Sequence, residues 1–150
     1  MTGFRFRLEK VLSWRRSQLE LAEQDFRREA AALAELDRAA AELEARGIHT
    51  EAAVRDWSAL QGRDLAALSG FRLYLERRAK EIAALRAGQA RKLAERQQVM
   101  LEVRRRCRLL ERLRERRLAE WQSASAHELE QLAAESYLAR LVRQSSIIDG

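Results

Sequence analysis

Apolar residues in the first third of the chain recur with a seven-residue period. One series runs through Leu12, Leu19, Phe26, Leu33 and Ala40, and a second through Leu8, Ala22, Leu36 and Leu43. Only Arg15 and Glu29 interrupt the second series. Some five heptads of this pattern are long enough to form a coiled-coil seam. The same register passes Gly47 and Thr50 and recovers Val54 and Trp57. Gly47 costs a helix interior about 1 kcal/mol relative to alanine. The resumed period favours a continuous helix that tolerates this cost. The rival reading stops the helix at Gly47 and restarts it with Thr50 as N-cap and Glu51 in the first turn.

Two glycines bracket the segment 61–70 (QGRDLAALSG), which marks it as the turn. A second seam follows: Leu68, Phe71, Leu75, Ile82 and Leu85. It weakens at Gln89, Lys92 and Arg96 and recovers at Val99, Val103, Leu110 and Leu113, while Leu93, Met100 and Cys107 fit the adjacent register. A shift of this kind is a stutter, which locally unwinds a supercoil. The stripe then continues through Leu118, Trp121, Leu129, Leu132 and Leu141.

Two seams joined by one turn predict an all-α fold, a long antiparallel two-helix coiled-coil hairpin occupying residues 1–150 as a single domain. The first helix is expected over about residues 4–60, roughly 85 Å at the α-helical rise, and the second over about residues 71–145. Folding at 61–70 would place Trp57 near Leu75 and Leu12 near Trp121. Glu29 would face Arg104 and Arg106, and Arg15 would face Glu115 or Glu120. A polar seam residue costs stability but fixes register, so Arg15 and Glu29 read as alignment devices. The last 20 or so residues, with Leu132, Leu138, Leu141 and Val142, would extend past the start of helix 1 and remain largely unpaired.

Composition agrees with this reading. The chain has 150 residues, no proline, 6 glycines and 35% charged residues. A β-rich domain would need more turn residues than that, and an apolar fraction of 47% is too high for a plainly disordered chain. One cysteine, Cys107, cannot form an internal disulfide, and beside the seam it reads as a small buried thiol. The opening MTGFRFRLEKVLSWRR is too interrupted by charge to be a signal peptide, and no apolar run is long enough to span a membrane. A soluble, cytoplasmic protein is expected.

Catalytic chemistry has little support. His49 and His127 occur singly, without ligand-spaced partners, and read as solvated helix residues. No phosphate-binding glycine loop is present. The acids alternate with arginines at helix spacing, as surface pairs do. No enzyme activity, cofactor, metal or small-molecule substrate is expected, since a narrow hairpin offers no closed pocket.

The formal charge of +6 is unevenly distributed. Residues 1–50 carry 9 basic and 9 acidic side chains, whereas residues 77–117 carry 15 Lys or Arg and 5 Glu. The densest part holds Arg104, Arg105, Arg106, Arg108, Arg112, Arg114, Arg116 and Arg117. This band reads either as a surface facing an acidic partner or as a counter-charge to helix 1. No nucleic-acid partner is expected, because stacking aromatics and groove-reading motifs are absent from it. Arginine also suits bidentate contacts with protein carboxylates. The basic, aromatic opening around Phe4, Phe6 and Trp14 reads as a helix start packed on the return helix in preference to a membrane contact.

Three segments, in order, carry a resemblance. FRFRLEKVLSWRR (Phe4–Arg16) resembles the opening of the flagellar export protein FliJ family. FRLYLERRAKEI (Phe71–Ile82) falls where that family has a Phe-x-x-x-Leu element, and LLERLRERRLAEW (Leu109–Trp121) followed by HELEQLAAESYLAR (His127–Arg140) is similar to its C-terminal signature. The resemblance implies a helical hairpin similar to the central stalk of rotary ATPases. It also implies a place in the flagellar type III export apparatus, at the cytoplasmic face of the inner membrane at the flagellar base. The implied partners are a hexameric export ATPase, the cytoplasmic domain of the export-gate membrane protein, and export chaperones. Phe71 and Leu75 match the family's gate-docking positions, while Arg78 and Ile82 depart from the small residue and histidine of some relatives. Alternatives are the equivalent stalk of a virulence-type injectisome, a basic nucleic-acid-binding coiled coil, and a structural tether that dimerises through its seam.

Overall fold

A computed structural model describes residues 3–57, 59 and 61–150. It contains two long helices, α1 (Glu9–Arg55) and α2 (Gly62–Ile148), and no strand among the described residues. Together they form a helical hairpin. Helix α1 passes through Gly47 without a break. It has Glu9 in its first turn and Arg55 in its last, each opposing the partial charge of the helix end.

The hairpin seam on α1 is the one its heptads specify. Leu12, Ala22 and Leu43 are buried, and Leu8, Leu19, Phe26, Leu33, Leu36, Ala40, Gly47, Thr50 and Val54 are half-buried. Trp57 is the exception: it lies beyond the helix and is 50% exposed.

The turn lies earlier than the glycines suggest. Helix α1 ends at Arg55 and α2 begins at Gly62, so the stretch from Gly62 to Gly70 is helical. The physical cause is a cap. The backbone N–H of Gln61 donates to the Asp64 carboxylate at 3.1 Å, three residues into the chain direction of α2. An acid reaching back in this way satisfies an amide that the first helical turn leaves open. Gly62 then occupies the first helical position and Gly70 sits within the helix. Residues 3–6 are likewise not helical; the amide of Glu9 bonds the Phe6 carbonyl, and Phe6 is buried from this irregular lead-in.

Helix pairing occurs in two units. One comprises Gln18–Val103, and the other comprises the N-terminal segment to Ser17 with Arg104–Gly150. In the first, Asp25 pairs with Arg96, Asp37 with Arg86 and Glu51 with Arg72, an antiparallel progression. In the second, Phe4 meets Trp121, Glu9 meets Arg114 and Arg16 meets Glu111, also antiparallel. Moving the turn toward the N-terminus slides the whole register. Glu29 therefore meets Gln89 and not Arg104 or Arg106, and Leu75 lies against Gly47 and not Trp57.

On α2, buried and half-buried positions include Leu68, Phe71, Leu75, Ile82 and Gln89, then Leu93, Met100, Cys107, Arg114 and Trp121, and the expected seam residues Val103, Leu110 and Leu113 are half-buried as well. The step from Gln89 to Leu93 is an i to i+4 jump inserted into a seven-residue period, which is the stutter. Leu85 and Val99, expected in the seam, are 55% and 50% exposed. A single partner helix covers a narrow stripe, which leaves Leu85 outside it before the stutter and Val99, beside the buried Met100, outside it after the stutter. Beyond Ser125 every residue of α2 is exposed, so the C-terminal turns form an unpaired extension as expected.

Candidate functional site

The eight band arginines divide by their partners. Arg114 donates to Glu9 at 3.0 Å across the hairpin and stands 5.7 Å from the Phe4 ring centroid, and Phe4 in turn is tilted against Trp121. Arg117 pairs with Glu120 on its own helix, and Arg104 and Arg106 are also engaged. Arg105, Arg108, Arg112 and Arg116 are exposed and make no ion pair among the described residues. Their spacing of i, i+3, i+7 and i+11 puts all four on one face of α2. Counter-charge to helix 1 therefore explains part of the band, and a free cationic face remains.

Cys107 lies under this band, 1% exposed, with its thiol donating toward the Glu111 carboxylate at 3.7 Å. Burial, and then the neighbouring Glu111 charge, push the thiol above its ordinary range, while Arg16 pulls the other way. Arg16 itself pairs with Glu111 at 3.4 Å. A protonated, enclosed thiol of this kind is a packing group.

The two register residues have other partners than those expected. Arg15 is half-buried and lays its guanidinium over Trp14 at 4.9 Å, and the adjacent Arg16 makes the cross-helix pair. One residue along a helix turns the side chain by about 100°, enough to exchange these roles. Glu29 is held by Gln89, whose side-chain amide donates both to the Glu29 carboxylate and, at 3.1 Å, to the Glu29 backbone carbonyl. The polar gap in the second seam at Gln89 is thus the complement of the polar gap in the first.

Near the turn, Phe71 and Leu75 are half-buried and face the seam side, and Ile82 is 3% exposed. Arg78 is exposed and pairs with Glu81 at 2.9 Å. Leu75 and Ile82 line an apolar groove of about 470 Å³ together with Ala40, Leu43, Gly47 and Ala79. Phe71 stacks beside Tyr74, with ring centroids 6.3 Å apart, and borders a second cleft with Val54, Trp57 and Leu68. The exposed apolar side chains here are Trp57, Leu65, Leu73 and Tyr74. Leu73 and Tyr74 lie off the seam period, and that offset is the sequence signal that marks them as outward-facing.

No group of three or more His, Cys, Asp or Glu is placed to hold a metal ion among the described residues. None of the described helices is long and apolar enough to cross a membrane. Comparison with known proteins finds no matching family model, curated protein or solved structure.

Proposed function

We propose that this chain is a non-catalytic stalk of the bacterial flagellar type III protein export apparatus. It acts at the cytoplasmic face of the inner membrane, binding a hexameric export ATPase, the export gate and export chaperones. The observation that carries the reading is the pairing of the chain's opening with its Leu109–Trp121 segment. These are two of the segments that resemble the FliJ family, and they are joined by Phe4 on Trp121, Glu9 on Arg114 and Arg16 on Glu111. A hairpin that presents unpaired arginines and an unpaired helical extension has surfaces for protein partners, and needs no chemistry of its own.

Such a stalk acts by binding some states of the ring better than others, which shifts the ring among its nucleotide states. Gate docking is assigned to the turn-proximal part of α2, where Phe71, Leu75 and Arg78 reach the surface, while Ile82, of the same stripe, is buried in the seam. In the test, purified export ATPase is assayed for ATP hydrolysis with increasing amounts of the chain. The stalk role predicts a saturable rise in hydrolysis; a flat rate at saturating protein contradicts it.

A further inference from the structure

The free arginine face and the unpaired C-terminal extension occupy the same side of one continuous helix. Arg105, Arg112, Ala119, Ala126 and Ala133 are successive heptad positions of α2, and all are exposed. Glu130, Tyr137 and Leu141 continue that face at helical spacing from Ala126, also exposed. Residues 123–139 contain Glu128, Glu130 and Glu135 and no lysine or arginine. Upstream, residues 103–117 contain 8 Arg against 2 Glu. On this exposed face the row of Arg105, Arg112 and Arg116 therefore gives way, about a midpoint near residues 119–123, to Glu130 among the apolar Ala126, Ala133, Tyr137 and Leu141, while Glu128 and Glu135 lie on other faces.

A surface with opposite character on either side of a midpoint is self-complementary under a two-fold axis. We infer that α2 binds the α2 of a second copy of this chain, antiparallel, with the two-fold axis near Ala119–Ser123. This alignment sets Arg112 opposite Glu130, Arg105 opposite Tyr137, Leu109 opposite Ala133 and Arg116 opposite Ala126, each pair occurring twice. Arg112 gains the carboxylate it lacks within its own chain, and Arg105 gains an aromatic face. Leu109 and Tyr137, 57% and 63% exposed in the single chain, become covered. The alanines at 119, 126 and 133 let the helices approach closely, and the arginine stems cover apolar surface with their methylenes. The paired stretch from Arg105 to Tyr137 is about 48 Å of helix, enough heptads for a stable two-helix contact. This surface lies outside the intramolecular seam, and its pairing does not depend on the export reading.

The test is sedimentation equilibrium of the full chain with charge-swapped variants. The wild type is expected at twice the 17.4 kDa chain mass at low salt, and at the monomer mass when salt is raised to about 500 mM. Arg112→Glu and Glu130→Arg each place like charges together at two symmetric sites, and each weakens the dimer about tenfold or more with helicity unchanged. The doubly exchanged variant, Arg112→Glu with Glu130→Arg, restores wild-type association. A wild type that is monomeric up to about 100 µM at low salt overturns the inference. So does a dimer indifferent to the single reversals, which would mean association through another surface, or a double variant that stays monomeric.

Discussion

The pairing of Glu29 with Gln89 shows how single residues hold the two helices in step. Both lie at seam positions, half-buried, where an apolar pair would contribute more to stability. Glu29→Leu alone removes the carboxylate acceptor and leaves the Gln89 amide only the backbone carbonyl at position 29, which should lower stability by about 1 kcal/mol. Glu29→Leu combined with Gln89→Leu makes an unbroken apolar layer and should melt above the wild type, at the cost of a less well-defined register. A double variant less stable than Glu29→Leu alone would show that the two residues are not partners. Cys107 makes a second prediction, in pH. Its thiol is raised in the folded chain above an ordinary value of 9.0, so the unfolded thiol ionises first. The stabilisation from this group is complete below that value and is lost as pH rises through the folded value. Chemical denaturation of wild type and Cys107→Ala from neutral to alkaline pH should show their stability difference shrinking only on the alkaline side. A difference independent of pH contradicts the buried, Glu111-facing thiol.

Along whole elements, the pattern of α1 was legible because its seam obeys one period over its full length and buries one consistent stripe. Even the glycine at 47 sits in phase, half-buried against Leu75. The start of α2 departs from the glycine signal for a physical reason: glycine marks a turn only where the backbone needs its freedom. No glycine here among the described residues has positive φ. The turn is fixed instead by the Asp64 carboxylate on the Gln61 amide, a signal of one acid three residues after the cap. The stutter is visible in the sequence, yet the side to which it turns the stripe is not, which is why Val99 is exposed; Leu85 precedes it and is exposed because the covered stripe is narrow. Glycines inside helices give an element-scale prediction. A methyl group at Gly88 would meet nothing within 4 Å, so Gly88→Ala should raise stability by about 1 kcal/mol through backbone entropy alone. At Gly47 the new methyl would stand 3.2 Å from Leu75 Cδ1, which must move into the groove beside it. Gly47→Ala should therefore gain less than Gly88→Ala in urea denaturation, and the reverse order would contradict the packing at that layer.

Across the whole molecule, function is less legible than fold, because it depends on surfaces that heptad periodicity does not encode. The sequence showed a dense arginine band, but not which arginines are occupied by the chain itself. Pairing separates Arg114, held by Glu9, from the outward row of Arg105, Arg108, Arg112 and Arg116. Likewise, Ile82 continues the Phe71–Leu75 stripe by spacing, but its 3% exposure puts it in the seam and not on the surface. Exposed ion pairs between the helices are each worth little, about 0–1 kcal/mol, so they direct alignment more than they stabilise it. The seam supplies the hold, and the cationic face and C-terminal extension lie outside it. The proposed function gives the chain a place in a protein export machine. Affinity capture of the full chain from the cells that express it, with the bound proteins identified by mass spectrometry, tests this most directly. A hexameric export ATPase together with the export-gate membrane protein should be recovered. A capture that retains the chain's own binding capacity yet brings down neither would contradict it.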